Sequence, residues 1–341
     1  MFPLYNIFKK DHPSYLSTVT ITTLQTLRLP IPRTPSPYPL GGPSPWKNIG
    51  VELDNPATAN EAMEAAGLNY TVVKKPLKDI PGLNYPDDAS DRWAIVRTDT
   101  ADVLGIVGES YEPIQNRDAF SFLDTLVDNR EAIYDTAGIL GRGERVWMLV
   151  KLPGGIKVRG NDLINKYLLL SNSHDGRPSV RAKLTPIRVV CNNTLTAALQ
   201  GAGEVYIRHA SSPRVDAEQA LPLLRLSTSL YGQLDATFNR MALTKITNKQ
   251  LHDYITTLVP DSGEREDNVT NHDIRKACLD LYESGQGADL SRGTVWGAFN
   301  CVTEYTDHEM GGSPADRLQS IWFGAGEQLK LKAFQLAERM M

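Results

Sequence analysis

Between residues 132 and 184 the apolar side chains fall in short runs of strand length broken by glycine turns, whereas beyond Pro213 they recur every three to four residues almost to Met340. That change of period restricts the chain to an α+β fold: an antiparallel or mixed β-sheet core with a packed helix, followed by a helical C-terminal half. The runs at 132–140, 145–152, 156–158 and 166–171 are separated by Gly141-Arg142-Gly143 and Pro153-Gly154-Gly155 and read as consecutive antiparallel strands. A turn at Ser173-His174-Asp175-Gly176 leads to a strand at 179–184. Pro186 then opens a helix through Gln200, because proline suits a first helical turn, and one more strand follows at 204–209. Upstream, a short helix at 60–66 is closed by Gly67, strands are expected at 69–75, 92–98 and 103–107, and a helix at 117–127. Downstream, helices are expected at 216–240, 248–258, 272–284, 294–308 and 314–340.

Nine of the 21 prolines lie before Trp46, so residues 1–46 read as a proline-rich flexible arm. Residues 47–212 form the sheet domain with a basic face, and residues 213–341 the helical C-terminal region. A targeting peptide in the arm would require more arginine. The chain of 341 residues, 41% of them hydrophobic, suffices for one large or two medium cores. Cys191, Cys278 and Cys301 are too scattered for a disulfide framework or a zinc site, which points to a reducing cytoplasm. No apolar run approaches the roughly 20 residues of a membrane span, and no secretory signal is expected.

Several segments resemble a phage- and plasmid-borne family of unknown function, numbered nine-three-two among uncharacterised domains. They are residues 45–50 (PWKNIG), 67–72 (GLNYTV), 111–116 (YEPIQN), 188–195 (RVVCNNTL), and 293–300 (GTVWGAFN) through Thr303-Glu304-Tyr305. The resemblance spans roughly Trp46 to Met340. It implies a mobile-element protein of a bacterial cytoplasm and carries no catalytic residue set.

The net charge of −4 and pI near 5.9 exclude a uniformly basic coat, so any anion site is local. Residues 157–214 hold nine basic side chains against three acids, a local +6, which leaves −10 for the remainder. Arg181 and Lys183 alternate on one strand face, with Arg177 extending it and Lys157, Arg159, Lys166, Arg188 and Arg208 in the same segment. Such a row suits a phosphate backbone; Tyr167 and Tyr206 on neighbouring strands offer stacking surfaces, and Asn192 and Asn193 sit at the expected helix start after Arg188. The alternatives are a solvated polar sheet face, and turn or capping roles for the asparagines.

Strands followed by a helix also resemble, in outline, the core of phage single-strand annealing proteins, a fold-level analogy that assigns no residue. Weaker candidates are Glu304 and His308, four apart on a helix and suited to a divalent metal or to a solvated acidic helix end, and lone His174 and His272. Gly138-x-x-Gly141-x-Gly143 has no helix after it and reads as a hairpin turn. Trp296, Phe299, Val302 and Tyr305, like Leu318, Ile321, Trp322 and Leu329, have the spacing of packed helix cores or of a subunit interface. No P-loop, nucleophile elbow or dinucleotide fingerprint occurs. The expectation is therefore a non-enzymatic protein that binds or anneals single-stranded DNA in recombination or replication, without a cofactor or a membrane, and self-associating as a ring or filament. A host-factor-binding protein and, behind it, a metal-dependent enzyme are the alternatives.

Overall fold

In the segment that begins at Arg145, Val146, Met148 and Val150 alternate with Trp147 and Leu149, so neither face is polar; a strand of that kind belongs inside a sheet covered on both sides. The structure, a computed structural model, describes residues 45–53, 58–82, 91–121, 123–124, 132–177, 180–195, 204–207, 217–260 and 270–341. The first half contains β1 (Gly50–Glu52), α1 (Ala59–Ala65), β2 (Val72–Pro76), β3 (Trp93–Arg97), β4 (Val103–Val107) and α2 (Asn116–Phe120). It continues with β5 (Ile133–Leu140), β6 (Arg145–Val158), β7 (Asp162–Ser173), β8 (Val180–Arg188), β9 (Asn193–Thr194) and β10 (Glu204–Ile207). Helices follow: α3 (Ala217–Leu243), α4 (Asn248–Leu258), α5 (Asn271–Ser284), α6 (Ala288–Ser291), α7 (Val295–Glu304), α8 (Pro314–Phe323) and α9 (Ala325–Glu338).

The architecture is α+β. One antiparallel sheet has the order β1-β5-β6-β7-β8-β10, with β9 paired to β8, and a second consists of β2, β3 and β4. On one face of the large sheet, Val146, Met148, Val150, Leu168, Leu170, Ala182 and Leu184 join the main hydrophobic cluster, which also takes in Phe120 of α2, Phe238 of α3, Trp296 and Phe299 of α7 and Phe334 of α9. The other face has its own cluster, in which Trp147, Leu149, Tyr167, Leu169 and Ile187 meet Leu318, Ile321 and Trp322 of α8.

Three local expectations are corrected. Pro153-Gly154-Gly155 does not end a strand: β6 runs through it with a register shift between Lys151 and Gly155, the bulge that lets one long strand bend. Pro186 does not start a helix, because β8 continues to Arg188 with Lys166 opposite Pro186. Burial of both strand faces overrides the local preference of proline. The long C-terminal helix is two helices meeting at Gly324, and the helix expected at 294–308 ends in a π-helical turn, Tyr305–Glu309. The helix at 117–127 is described only in its first part, α2, and the proline-rich arm lies outside the described residues up to Ser44. Among the described residues no helix is long and apolar enough to cross a membrane.

The small sheet docks through Val72, Ile95, Leu104 and Val107, which join the main hydrophobic cluster, and through polar contacts and one close backbone approach beside it. Tyr70 donates from its hydroxyl to Gly143 O (2.9 Å), and Asn116 joins Leu68 O to the buried Asn172 and His174. A Cβ on Gly105 of β4 would stand 2.7 Å from both Asp175 Cα and His174 O, so only glycine fits there.

Candidate nucleic-acid interface

Arg181 and Lys183 do share one face of β8, but α8 lies across that face. Lys183 is buried and ion-paired with Glu327 of α9. Arg188 is buried more deeply: its Nη2 lies 2.7 Å from Asp162 Oδ2 and 3.0 Å from Gly287 O, and Asp162 also accepts from Trp296 Nε1 at 2.8 Å. The expected phosphate contacts of Lys183 and Arg188 are therefore corrected. Both charges are neutralised inside the protein, as a buried cation requires.

Tyr167 is also misassigned as a stacking surface. It is buried under α8, and its carbonyl accepts from the Tyr231 hydroxyl at 3.1 Å. No helix begins at Asn192 and Asn193. Asn192 takes a left-handed φ of 54° in the turn after β8, and Asn193 is buried in β9, where Nδ2 donates to Thr303 Oγ1 at 3.1 Å. Both asparagines have the turn and packing role weighed against nucleic-acid contact. Tyr206 pairs with Arg181 across β8 and β10, its side chain outside the described residues; Arg208 lies outside them altogether.

The remaining cations form two groups at opposite ends of β7. At the β6–β7 hairpin, Lys157 and Arg159 are exposed, while Lys166, further along β7 and on the opposite sheet face from Lys157, is half-buried with its ammonium 5.1 Å above the Tyr231 ring. Among the described residues none of these three has an ion-pair partner. Asn239 of α3 braces the hairpin, accepting from Arg159 N at 2.9 Å and donating to Lys157 O at 3.3 Å. Arg159 and Gly160, with φ of 49° and 84°, make the reversal. Arg177 and Arg181 are towards the other end: Lys157 stands opposite Leu163 and Arg181 opposite Ser171, eight residues apart along β7, or roughly 26 Å at about 3.3 Å per residue. The continuous basic strip expected from the charge count is thus two separated patches.

The second patch contains two side chains that the charge count missed, Arg145 and Phe323. Arg145 opens β6 opposite Ser173, while Ser171 pairs with both Arg181 and Trp147. Its guanidinium lies 4.3 Å from the Phe323 ring, and that of Arg181 lies 5.7 Å from the same ring. Burial lowers the Arg145 pKa, Asp175 pulls it back up, and Arg181 and Arg177 push it down again. Its alternation with Trp147 and Leu149 is the sequence signal that it shares a face with Arg181, although it precedes the segment rich in basic residues.

Beneath the turn after β8 lies a buried polar network. Asp307 accepts from Thr194 Oγ1 at 2.9 Å and pairs with Lys330 Nζ at 2.6 Å, both charged side chains being 0% exposed. Glu304 and His308, weighed as a metal pair, turn to different partners. Glu304 accepts from Gln286 N at 2.8 Å, whereas His308 Nε2 meets Cys191 O at 2.9 Å and Asn193 Oδ1 at 3.1 Å. The π-helical turn between them resets the helical phase that would have aligned them. Among the described residues no three His, Cys, Asp or Glu are grouped to hold a metal. Burial pushes the Cys191 and Cys278 thiols up to about 12, and Cys301 upward as well, so all three stay protonated at neutral pH.

Burial also lowers the His308 pKa, so the folded protein favours the neutral ring. A pKa depressed below the unfolded value gives stability above that value, which is lost as pH falls through the folded one. The melting temperature should fall between about pH 7 and pH 5, and His308→Gln should flatten that fall. An equal slope in thermal melts of the two proteins would remove His308 as its source. Glu304, whose pKa burial raises, acts with the opposite sign, its contribution being lost as pH rises.

No curated protein and no solved structure matches the chain. The family model described as "Domain of unknown function (DUF932)" matches residues 103–322, from β4 to Trp322 of α8, and so covers the large sheet except β1, the cations of both patches and most of the buried network. With well over half of its 341 residues inside that match, the chain belongs to the DUF932 family.

Proposed function

We propose that the protein binds single-stranded DNA without acting on it chemically, in recombination or replication of a phage, prophage or plasmid within a bacterial cytoplasm. One observation carries the reading: Lys157 and Arg159 project exposed from the β6–β7 hairpin with no ion-pair partner among the described residues, whereas Lys183 and Arg188 are consumed internally. Cations grouped at one end of a rigid sheet attract a phosphate backbone and leave its bases unread. Binding then relies on charge and is steeply sensitive to salt.

Titration of a labelled oligothymidylate should give a sub-micromolar Kd at low salt, rising steeply with added salt. In Lys157→Glu/Arg159→Glu, two charge-assisted contacts at about 1.5–3 kcal/mol each are lost, so affinity should fall at least about a hundredfold. The slope of log K against log salt should become shallower by about 0.7 for each contact. Undiminished binding by this variant would refute the assignment of the hairpin.

A further inference from the structure

Arg145 is the buried cation with an unpartnered nitrogen among the described residues. It is 4% exposed, yet Nη1 has no hydrogen-bond partner there. The contacts of Nη2 are long, 3.4 Å to Ser173 Oγ and 3.6 Å to Asp175 Oδ2. Asp175 does not close the gap, because its Oδ1 is engaged by Ser173 Oγ at 2.6 Å and by Arg177 N at 3.0 Å. Its ion pair with the Arg177 side chain is also loose, at 3.7 Å. A buried guanidinium without acceptors is costly, and its five N–H donors lie in one plane suited to a tetrahedral or planar oxyanion.

The surroundings fix that plane and leave a way in. The Phe323 ring stacks 4.3 Å from the Arg145 guanidinium, so ring contact takes a face and leaves the donor edges. Arg145 Nη1 is itself closed off from solvent, but the loose Arg177–Asp175 pair beside it is 62% and 24% exposed, so displacement of that pair opens the approach. Gly105 lies against the backbone of His174 and Asp175 and holds the turn against the small sheet, so the position of Asp175 is set before any ligand arrives.

We infer that Arg145, Arg177 and Ser173 form a subsite for a phosphate-type oxyanion, stacked under Phe323 and independent of the hairpin cations at the far end of β7. In it the anion accepts from Arg145 Nη1 and from the Arg177 guanidinium, with the Ser173 hydroxyl released from Asp175 as a further donor. The phosphate is either a free ion or a link of a polynucleotide backbone, two sources with one chemistry.

Calorimetric titration of the full-length protein tests this with inorganic phosphate and with a thymidine dinucleotide that holds a single phosphodiester, against chloride at equal ionic strength. Saturable binding of phosphate or of the dinucleotide supports the subsite, and the tighter of the two identifies the source. Arg145→Gln and the exposed Arg177→Gln should each weaken that binding about tenfold or more, the loss of one charge-assisted contact. Lys249→Glu, exposed on α4, should leave it unchanged. Heats no different from those of chloride, or full affinity in both arginine variants, would overturn the subsite. Neither result depends on the hairpin, whose own test is the long oligothymidylate, so the two failures are distinguishable.

Discussion

Lys330→Met should destabilise the protein by about 3–5 kcal/mol, because it leaves the Asp307 carboxylate buried without its cation. Lys330 and Asp307 are both 0% exposed, and Asp307 ties Thr194 at the start of the β9 return to the π-helical turn. Desolvation lowers the Lys330 pKa, which marks the burial as costly for the charge, while Asp307 supports it. The pair is therefore worth much less than either single variant loses. Lys330→Met/Asp307→Asn, in which the amide oxygen still accepts from Thr194, should recover most of the loss, to within about 2 kcal/mol of the parent. Urea denaturation followed by circular dichroism measures all three proteins. A single variant as stable as the parent, or a double variant worse than the sum of the singles, would contradict an ion pair that is expensive to break and cheap to replace.

Trp322→Ala should cost a comparable 3–5 kcal/mol, roughly the loss for emptying a large buried aromatic site. Trp322 is 0% exposed, lies 4.9 Å from Trp147 at 67° and stacks on Trp46 at 6.1 Å. It is the main anchor of α8 on the sheet face that carries Lys183. The indole Nε1 of Trp322 has no hydrogen-bond partner among the described residues. Trp322→Phe removes that orphaned donor with only part of the volume, so it should lose much less than Trp322→Ala. Equal losses for the two would mean that the packing around α8 is not the source of the effect.

Strand and helix periods show in the residues because each element has a buried stripe: β3, β4 and β7, and the helices α4 and α5 capped by Thr247 and Thr270, lie close to where their spacing puts them. The readings that fail are those in which distant burial outvotes local chemistry, such as Pro186 held in a strand between Lys166 and the β9 return. The candidate site fails for a related reason. A charge count sees Lys183 and Arg188 but not Glu327, 144 residues along the chain from the lysine, or Gly287 and Trp296, which close over the arginine on the opposite sheet face. Lys157 and Arg159 were legible because α3 braces only the backbone of their hairpin and leaves both side chains exposed. Arg145 was not, since its importance lies in an aromatic ring and a turn contributed by other parts of the chain.

The absent side chain at position 105 makes the two sheets mechanically one. Because β4 touches the backbone of His174 and Asp175 directly, with no flexible group between them, the small sheet acts as a jig that sets the height of the turn after β7. Anything that tilts the three short strands is passed on to Arg177 and the stacked guanidinium of Arg145, so a partner gripping the outer edge of β4 would retune the far pocket without entering it.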